Sequence, residues 1–292
     1  MRTVVGEPAL LIRSSSGNRL DADVMTTSQT TPPVDTARRM LNKVPEVTIY
    51  FWVIKILCTT VGESLADYIN ETIGFGLGNT TIVFSVALVI VLVAQFRVRA
   101  YVPGIYWLAI VLISVVGTLL TDYLTDKFGV ALATSTTVAA VLLAIVFGTW
   151  YAREHTLSIH SIVTTPRESF YWLTVLVTFG LGTASGDWTL ELTGLSPGYA
   201  ALLPAGLIAL LFVAWRLGAG PVLIFWLAYI LTRPLGANIG DFLGLDPSEG
   251  GIGLGTLGTS LLFLGTILAV VVYLTKTKAD RTELVHSGAV TA

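Results

Sequence analysis

Long apolar runs, separated by short polar connections, dominate the chain between its two polar ends. Each run is long enough, or nearly so, to cross about 30 Å of hydrocarbon at about 1.5 Å of rise per residue. The weak alternation over about ten residues that marks the strands of a membrane barrel is absent. The pattern therefore predicts eight transmembrane helices, over residues 47–67, 80–97, 104–122, 129–151, 167–187, 197–215, 221–241 and 252–275.

Two polar segments flank the apolar region. Residues 1–44 are rich in Ser, Thr, Arg and Asp and lack the sustained apolar run of a signal peptide. Their composition predicts a disordered cytoplasmic tail. We divide the chain into that tail, an eight-helix transmembrane domain over residues 45–275 and a second cytoplasmic tail over residues 276–292.

The composition supports a polytopic membrane protein. Hydrophobic residues make up 53% of the 292 positions and charged residues only 12%, whereas a soluble domain carries about 25% charged residues. The single cysteine excludes a disulfide scaffold, and the net charge of −2 provides no basic surface for nucleic acid.

Lysine and arginine indicate the orientation. The connections that share a side with both termini hold 14 of the 17 basic residues, and the opposite connections hold only Lys127. Basic loops remain in the cytoplasm, so we expect a multi-pass protein of the inner (plasma) membrane with both termini cytoplasmic. The other two basic residues, Lys55 and Arg233, fall inside apolar runs.

Four of the apolar runs share an internal repeat. Each begins with an aromatic–tryptophan pair, followed by a glycine ten residues after the tryptophan and an aspartate fifteen residues after it. The repeated residues are Trp52, Trp107, Trp172 and Trp226, then Gly62, Gly117, Gly182 and Gly236, then Asp67, Asp122, Asp187 and Asp241. Tryptophan is rare, so the match indicates a two-helix unit copied to four. The units cover about residues 45–99, 103–153, 166–216 and 221–275.

The repeat predicts the architecture. Because each unit holds two helices, all four copies cross the membrane in the same direction, and parallel repeats are related by an axis along the membrane normal. We therefore expect an all-α membrane protein with a pseudo-fourfold or nested twofold bundle. The first helices of the units are expected to surround a shared axis.

These tandem units resemble a bacterial membrane-protein family known as a repeat of unknown function, whose members are described as uncharacterised membrane-anchored proteins. The resemblance covers about residues 45–275 and rests on the matching tryptophans, glycines and aspartates. It implies the helical architecture and brings no substrate or catalytic residue. The function is therefore argued from the residues.

Steps of four residues that start three residues after each tryptophan follow one helical face, and that face is polar and ends in acid. The candidate site residues on these faces are Lys55, Thr59, Glu63, Asp67 and Glu71; Thr118, Asp122 and Asp126; Thr183, Asp187 and Glu191; and Arg233, Asn238 and Asp241. A polar row is costly against lipid. It should therefore face the bundle interior or a water-filled cavity.

Depth leaves two interpretations of the four aspartates open. Each lies 19–22 residues after the proline of its unit, or about 30 Å along a helix. They either cap helices at the outer boundary or form a ring of carboxylates at an outer mouth. Glu63 lies one turn deeper and is the stronger candidate. The alternative for Glu63 is a structural ion pair with Lys55 or Arg233. Lys55 and Arg233 either neutralise carboxylates or belong to the site, and Pro234 predicts a kink or break beside Arg233.

The excess of acid on the outer side favours cations. Oxygen ligands from Glu63 and the four aspartates suit Mg²⁺, Ca²⁺ or Mn²⁺ better than zinc or copper. The aromatic pairs at the helix starts are interpreted as an interfacial belt, with a cage for an organic cation as the alternative.

We therefore expect a transporter or exporter of a cation, with a divalent metal such as Mn²⁺ as a candidate cargo and proton coupling through the carboxylates. The first alternative is a non-transporting membrane scaffold or sensor, and the second is an organic-cation carrier. No nucleophile and base occur together in the acidic half, so we expect no enzyme. We expect no cofactor, and we expect the lipid bilayer and a small cation as partners of a monomer or homodimer.

Overall fold

The computed structural model describes residues 42–280, and all regular structure in that range is helical. Its eight long helices are α1 (Ile49–Asp67), α2 (Leu77–Arg97), α3 (Pro103–Asp122), α4 (Leu132–Glu154), α5 (Thr165–Thr193), α6 (Pro197–Arg216), α7 (Pro221–Gly244) and α8 (Thr256–Thr277). A turn at Ala201 interrupts α6 after its first four residues. Helices α1 and α3 continue into π-helical turns over Tyr68–Thr72 and Tyr123–Lys127. The predicted all-α fold is confirmed.

Seven of these helices are long and apolar enough to cross a membrane. The exception within residues 42–280 is α5, whose stretch between Glu168 and Asp187 is uncharged but rich in Ser, Thr and Gly. The spans identify the chain as a membrane protein, as the composition predicts.

The first helices of the four units pack side by side in a closed ring. Helix α1 packs against α3 and α7, and α5 packs against the same two helices. In the apolar stretches of α1, α3 and α7, 61%, 78% and 56% of the residues are buried, against 11–22% in α2, α4, α6 and α8. The inner ring is therefore α1, α3, α5 and α7, and the predicted arrangement around a shared axis is confirmed.

Each second helix packs against the first helix of the following unit. Helix α2 lies on α3, α4 on α5, and α6 on α7, while α8 returns to α1. The outer helices expose large apolar side chains, such as Val89, Ile145, Leu210 and Leu268. Such a surface suits contact with lipid. Because each second helix packs on the following unit, these contacts join each unit to the next one around the ring.

The repeat glycines lie at the four contacts between inner helices. A Cβ at each of these positions would crowd a side chain that stands seven residues after the tryptophan of the next unit. The pairs are Gly62 with Ser114, Gly117 with Phe179, Gly182 with Arg233, and Gly236 with Thr59. Small residues let helix backbones approach closely. The glycines therefore set the spacing of the ring.

Pro234 lies inside α7, which is continuous from Pro221 to Gly244. Of the predicted kink or break, the break is therefore absent, and the kink stays a prediction. A proline at this position leaves the carbonyl of Ile230 without its helical donor. The proline ring packs against α5, where a Cβ on Gly186 would lie 3.1 Å from the Cβ of Pro234.

The packed domain extends beyond the predicted boundary at its start. Asn42 and Val44 are buried, and the backbone N–H of Lys43 donates to the carbonyl of Ile162. These residues belong to the packed domain rather than to a tail. Residues 1–41 and 281–292, which make up most of the two predicted tails, lie outside the described residues.

Candidate functional site

Aromatic side chains close the end of the ring at which the inner helices begin. The ring of Phe51 lies 5.8 Å from that of Phe225 and 6.3 Å from that of Tyr229, measured between centroids. The hydroxyl oxygens of Tyr106 and Tyr171 are 2.5 Å apart and share a hydrogen bond between α3 and α5. All five side chains are buried. We call this end the aromatic end.

The repeat tryptophans pack inside the protein. Trp107, Trp172 and Trp226 are buried, so the interpretation as an interfacial belt is wrong for these three. The indole N–H of Trp107 donates to the hydroxyl of Tyr101 at 3.1 Å, and that of Trp226 donates to the carbonyl of Leu157 at 3.0 Å. The hydrogen bonds of Trp107 and Trp226 therefore join α3 and α7 to the connections at the aromatic end.

Lys55 of α1 is fully buried one turn after the aromatic–tryptophan pair of its unit, where it contacts α5 and α7. Its Nζ atom is 4.0 Å from the ring centroid of Phe179 and 4.1 Å from that of Tyr229. It donates a hydrogen bond to the hydroxyl of Thr232 at 3.2 Å. Two aromatic faces and one hydroxyl therefore hold the amine, and no carboxylate of residues 42–280 forms a salt bridge with it.

Arg233 extends from α7 across the ring, one turn beyond Lys55. Its stem packs over Gly182 of α5. Its Nη2 atom donates to a carboxylate oxygen of Glu63 on α1 at 2.5 Å and to the hydroxyl of Thr118 on α3. One side chain thus contacts the three other inner helices. The ion pair that we considered for Glu63 forms with Arg233, whose side chain is 1% exposed.

The guanidinium of Arg233 retains unused donors. Its Nε and Nη1 atoms have no hydrogen-bond acceptor among residues 42–280. Asp122, Asp187 and Asp241 interact with the guanidinium electrostatically. The positive charge is therefore held by one short ion pair and by the field of neighbouring carboxylates.

Carboxylates gather at the opposite end of the ring, which we call the acidic end. Glu63, Asp67 and Asp241 each offer an oxygen atom, and these atoms lie within 4.8 Å of one another. Asp122 on α3 and Asp187 on α5 interact electrostatically with Glu63. The four aspartates are only partly exposed. The structure thus brings together one glutamate and four aspartates from four inner helices.

Three other candidate carboxylates lie outside this group. Glu71 and Asp126 stand on the π-helical turns after α1 and α3, and Glu191 lies in the last turns of α5. All three are exposed. They mark the outer edge of the acidic end rather than its interior.

The candidate hydroxyls serve the helix backbones. Thr59 donates to a carbonyl one turn earlier on α1 and lies 3.1 Å from the carbonyl of Thr232. Thr183 donates to a carbonyl one turn earlier on α5 at 3.0 Å. Asn238 is buried on α7, one turn before Asp241. Of the hydroxyls predicted for the site, Thr118 is the one that contacts its charged groups.

A buried polar network near the aromatic end was missed. Glu168 is fully buried in the first turn of α5, and Lys43 Nζ lies 2.6 Å from its carboxylate. Gln95 donates to the other carboxylate oxygen at 3.3 Å. An acid at a helix start is readable from sequence. Its partners lie 125 and 73 residues away, and no local pattern identifies them.

The acidic end offers the donor set of a hard cation. Three carboxylates from α1 and α7 approach one point, and oxygen ligands of this type suit Mg²⁺, Ca²⁺ or Mn²⁺. One oxygen of Glu63 is engaged by Arg233 at 2.5 Å. A cation that binds Glu63 therefore competes with the guanidinium.

The profile of the family Repeat of Unknown Function (DUF347) matches residues 50–101, 105–156 and 224–280, together more than half of the chain. The chain belongs to this family. The three DUF347 matches coincide with the first, second and fourth units of the ring. The third unit lies outside them, yet α5 occupies the corresponding place in the ring with Gly182 at its contact. No curated protein and no solved structure matches the chain significantly.

Proposed function

We propose that this DUF347 protein transports a cation across the membrane and binds it at the acidic end of the inner ring. The supporting observation is the approach of oxygen atoms from Glu63, Asp67 and Asp241 to within 4.8 Å of one another. Their chemistry favours a divalent cation such as Mn²⁺, Mg²⁺ or Ca²⁺. The cation enters from the acidic end, where the aspartates are partly exposed.

The ion pair between Arg233 and Glu63 provides a mechanism for coupling binding to movement. Arg233 contacts α1, α3 and α5. A cation that binds the Glu63 carboxylate would displace the guanidinium of Arg233 from it. The contacts between units then change together. Parallel repeats move as rigid bodies about the shared site in other transporters. Protons carried by Glu63 or the aspartates would supply the driving gradient.

We also propose an orientation in the plasma (inner) membrane, with both termini and the aromatic end on the cytoplasmic side. Arg97, Arg153 and Arg216 stand in the last turns of α2, α4 and α6, and these turns adjoin the starts of the inner helices. Basic connections remain in the cytoplasm. The acidic end then faces outward, where it attracts cations.

The test is cation flux into proteoliposomes under an imposed pH gradient. The panel contains Mn²⁺, Mg²⁺, Ca²⁺, Zn²⁺ and tetramethylammonium, and it compares wild type with Glu63→Gln. Glu71→Gln is the matched control, because it makes the same chemical change at an exposed carboxylate. We expect flux of one cation that is lost in Glu63→Gln and retained in Glu71→Gln. Absence of flux for every cation with folded wild type would overturn transport.

A non-transporting membrane scaffold or sensor is the second candidate. It is favoured by the contacts of Arg233 with the three other inner helices, which suit a structural cross-link. In that case Glu63→Gln lowers the melting temperature, and no cation crosses the membrane in any variant. Because α7 packs against α1 and α8 covers α1 within one chain, we propose that a single chain is sufficient for either role.

A further inference from the structure

A cleft of about 950 Å³ opens on the side of the bundle, away from the ring axis. Helices α1 and α6 form its walls, and α7 forms its floor. The floor residues Phe225, Ala228, Thr232 and Leu235 are spaced by three or four positions and therefore share one face of α7. The cleft belongs to the outer surface of the bundle rather than to the acidic end.

The walls of the cleft are apolar and continue into the lipid-facing surface. Helix α6 contributes Ile208, Phe212 and Trp215, and α1 contributes Trp52 and Ile56. Phe212 and Trp215 are 55% and 46% exposed. Because α6 is among the helices suited to cross a membrane, this opening faces hydrocarbon rather than water.

Polar groups occur at one end of the cleft. Glu46, Thr48, Ser158 and His160 line it where α1 and α7 begin. The imidazole Nε2 of His160 lies 3.4 Å from a carboxylate oxygen of Glu46. The cleft is therefore polar at the membrane surface and apolar toward the membrane centre.

The length of the cleft matches a lipid tail. Lining residues on α7 run from Pro221 to Leu235, which is about 21 Å of helix at about 1.5 Å per residue. One leaflet contributes about half of the hydrocarbon core of about 30 Å. A chain that enters from the surface therefore has room for its whole length.

We propose that this cleft binds one acyl chain of a phospholipid with an ammonium headgroup, from the leaflet at the aromatic end. The headgroup lies beside Glu46 and His160, where the carboxylate complements the ammonium and the imidazole complements the phosphate. The tail follows the apolar floor of α7. This inference is independent of the proposed transport, since it uses none of the acidic-end residues.

The lipid tail reaches a residue that also holds the buried Lys55. Thr232 lines the floor of the cleft, its hydroxyl accepts the hydrogen bond of Lys55 at 3.2 Å, and its carbonyl lies 3.1 Å from the hydroxyl of Thr59. A bound tail therefore contacts the support of Lys55 from the outside. This contact distinguishes the site from the general lipid surface of the outer helices.

The experiment measures phospholipid retained by the purified full chain, by native mass spectrometry after extraction in mild detergent. Ala228→Trp fills the floor of the cleft, and Val89→Trp is the matched control on α2, at an exposed apolar position outside the cleft. We expect one bound phosphatidylethanolamine in wild type and in Val89→Trp, and its loss in Ala228→Trp. If Ala228→Trp fails to fold, Ala205→Phe fills the deep end instead.

Two results of this experiment would overturn the proposal, and a third measurement tests its headgroup. One is equal phospholipid retention by wild type and a folded cleft-filling variant. The other is loss of a dimer, rather than loss of lipid, in that variant, which would assign the cleft to a second copy of the chain. Exchange with phosphatidylglycerol tests the headgroup, because equal retention of this anionic lipid contradicts the pairing with Glu46.

Discussion

The two ends of the inner ring and its middle are built from the same four repeats, yet they differ in symmetry. At the aromatic end every unit supplies an aromatic residue before its tryptophan, and at the acidic end every unit supplies an aspartate. Lys55, Glu63 and Arg233, which lie from the middle of the ring to the inner edge of the acidic end, each occur in one unit alone. The repeated residues therefore build the architecture and supply the aspartates of the acidic end, and the unrepeated residues add the ion pair of the candidate site.

In the middle of the ring, the four units carry different side chains at the same repeat position. Seven residues after the tryptophan, the units carry Thr59, Ser114, Phe179 and Arg233. Each of these side chains packs against a repeat glycine of the preceding unit. Only the fourth one is charged, and its guanidinium reaches the glutamate of the first unit. A single ion pair therefore forms where the last unit meets the first.

The largest effect is expected from removing the guanidinium. Arg233→Met leaves the carboxylate of Glu63 without its partner at 2.5 Å, and removal of one member of a buried pair costs about 3–5 kcal/mol. Since the Glu63 side chain is 12% exposed, we expect the lower end of that range. Chemical unfolding in detergent measures the loss.

Two variants control this prediction. Arg216→Met makes the same change at an exposed position on α6 and should leave the stability unchanged. The double variant Glu63→Gln with Arg233→Met should recover most of the loss, because it removes the carboxylate charge that the single variant leaves without its ion-pair partner. Equal stability of Arg233→Met and wild type would contradict the ion pair as the bond that joins the units.

The next effect concerns the repeated part of the ring. Gly62→Val places a side chain where Ser114 of α3 already packs, and overpacking a close contact costs about 1–3 kcal/mol. Gly148→Val is the control, because that glycine of α4 has no neighbouring atom within 4 Å of the new Cβ. Thermal unfolding compares the two variants. Equal melting temperatures would mean that the repeat glycines do not set the helix spacing.

A smaller loss is expected at the aromatic end. Tyr106→Phe removes one hydroxyl of the buried pair with Tyr171, and the net value of such a hydrogen bond is about 1 kcal/mol. Tyr199→Phe, at a residue 69% exposed, is the comparison. A difference in unfolding free energy between these two variants supports the bridge between α3 and α5, and its absence contradicts the bridge.

The smallest effect is expected at the rim of the acidic end. Asp126→Asn and Glu191→Gln change exposed side chains, and such substitutions stay within about 0.5 kcal/mol of wild type. Denaturant titration of each variant measures the change. A larger loss would place these carboxylates inside the site and extend the acidic end outward.

The sequence predicts the helices and the ring because both follow from local periodicity and from self-similarity. Apolar runs of sufficient length locate the eight helices, and the glycines of the repeat identify the contacting faces. The end of α5 at Thr193, six residues beyond its predicted end, was also readable. Gly194 adopts a left-handed conformation there with φ of 62°, and a glycine after the last turn is a common stop signal.

The contacts in the middle of the ring could not be predicted from the sequence. The polar stripe identifies which face of each helix points inward, but it does not say which neighbour a side chain reaches. Lys55 and Arg233 were both candidates for an ion pair with Glu63. The packing pairs Arg233 with Glu63, while Lys55 lies over the rings of Phe179 and Tyr229. Such choices depend on helix order around the ring, which no local pattern encodes.

The return of α8 to α1 has a consequence for biosynthesis. The first unit enters the membrane with one flank uncovered, and that flank stays open until the final helix is made. Glu63 likewise waits for Arg233, which is synthesised 170 residues later. A message that stops after α6 therefore yields a chain with an open flank and an unneutralised carboxylate. For this protein, a late truncation should be as harmful as an early one.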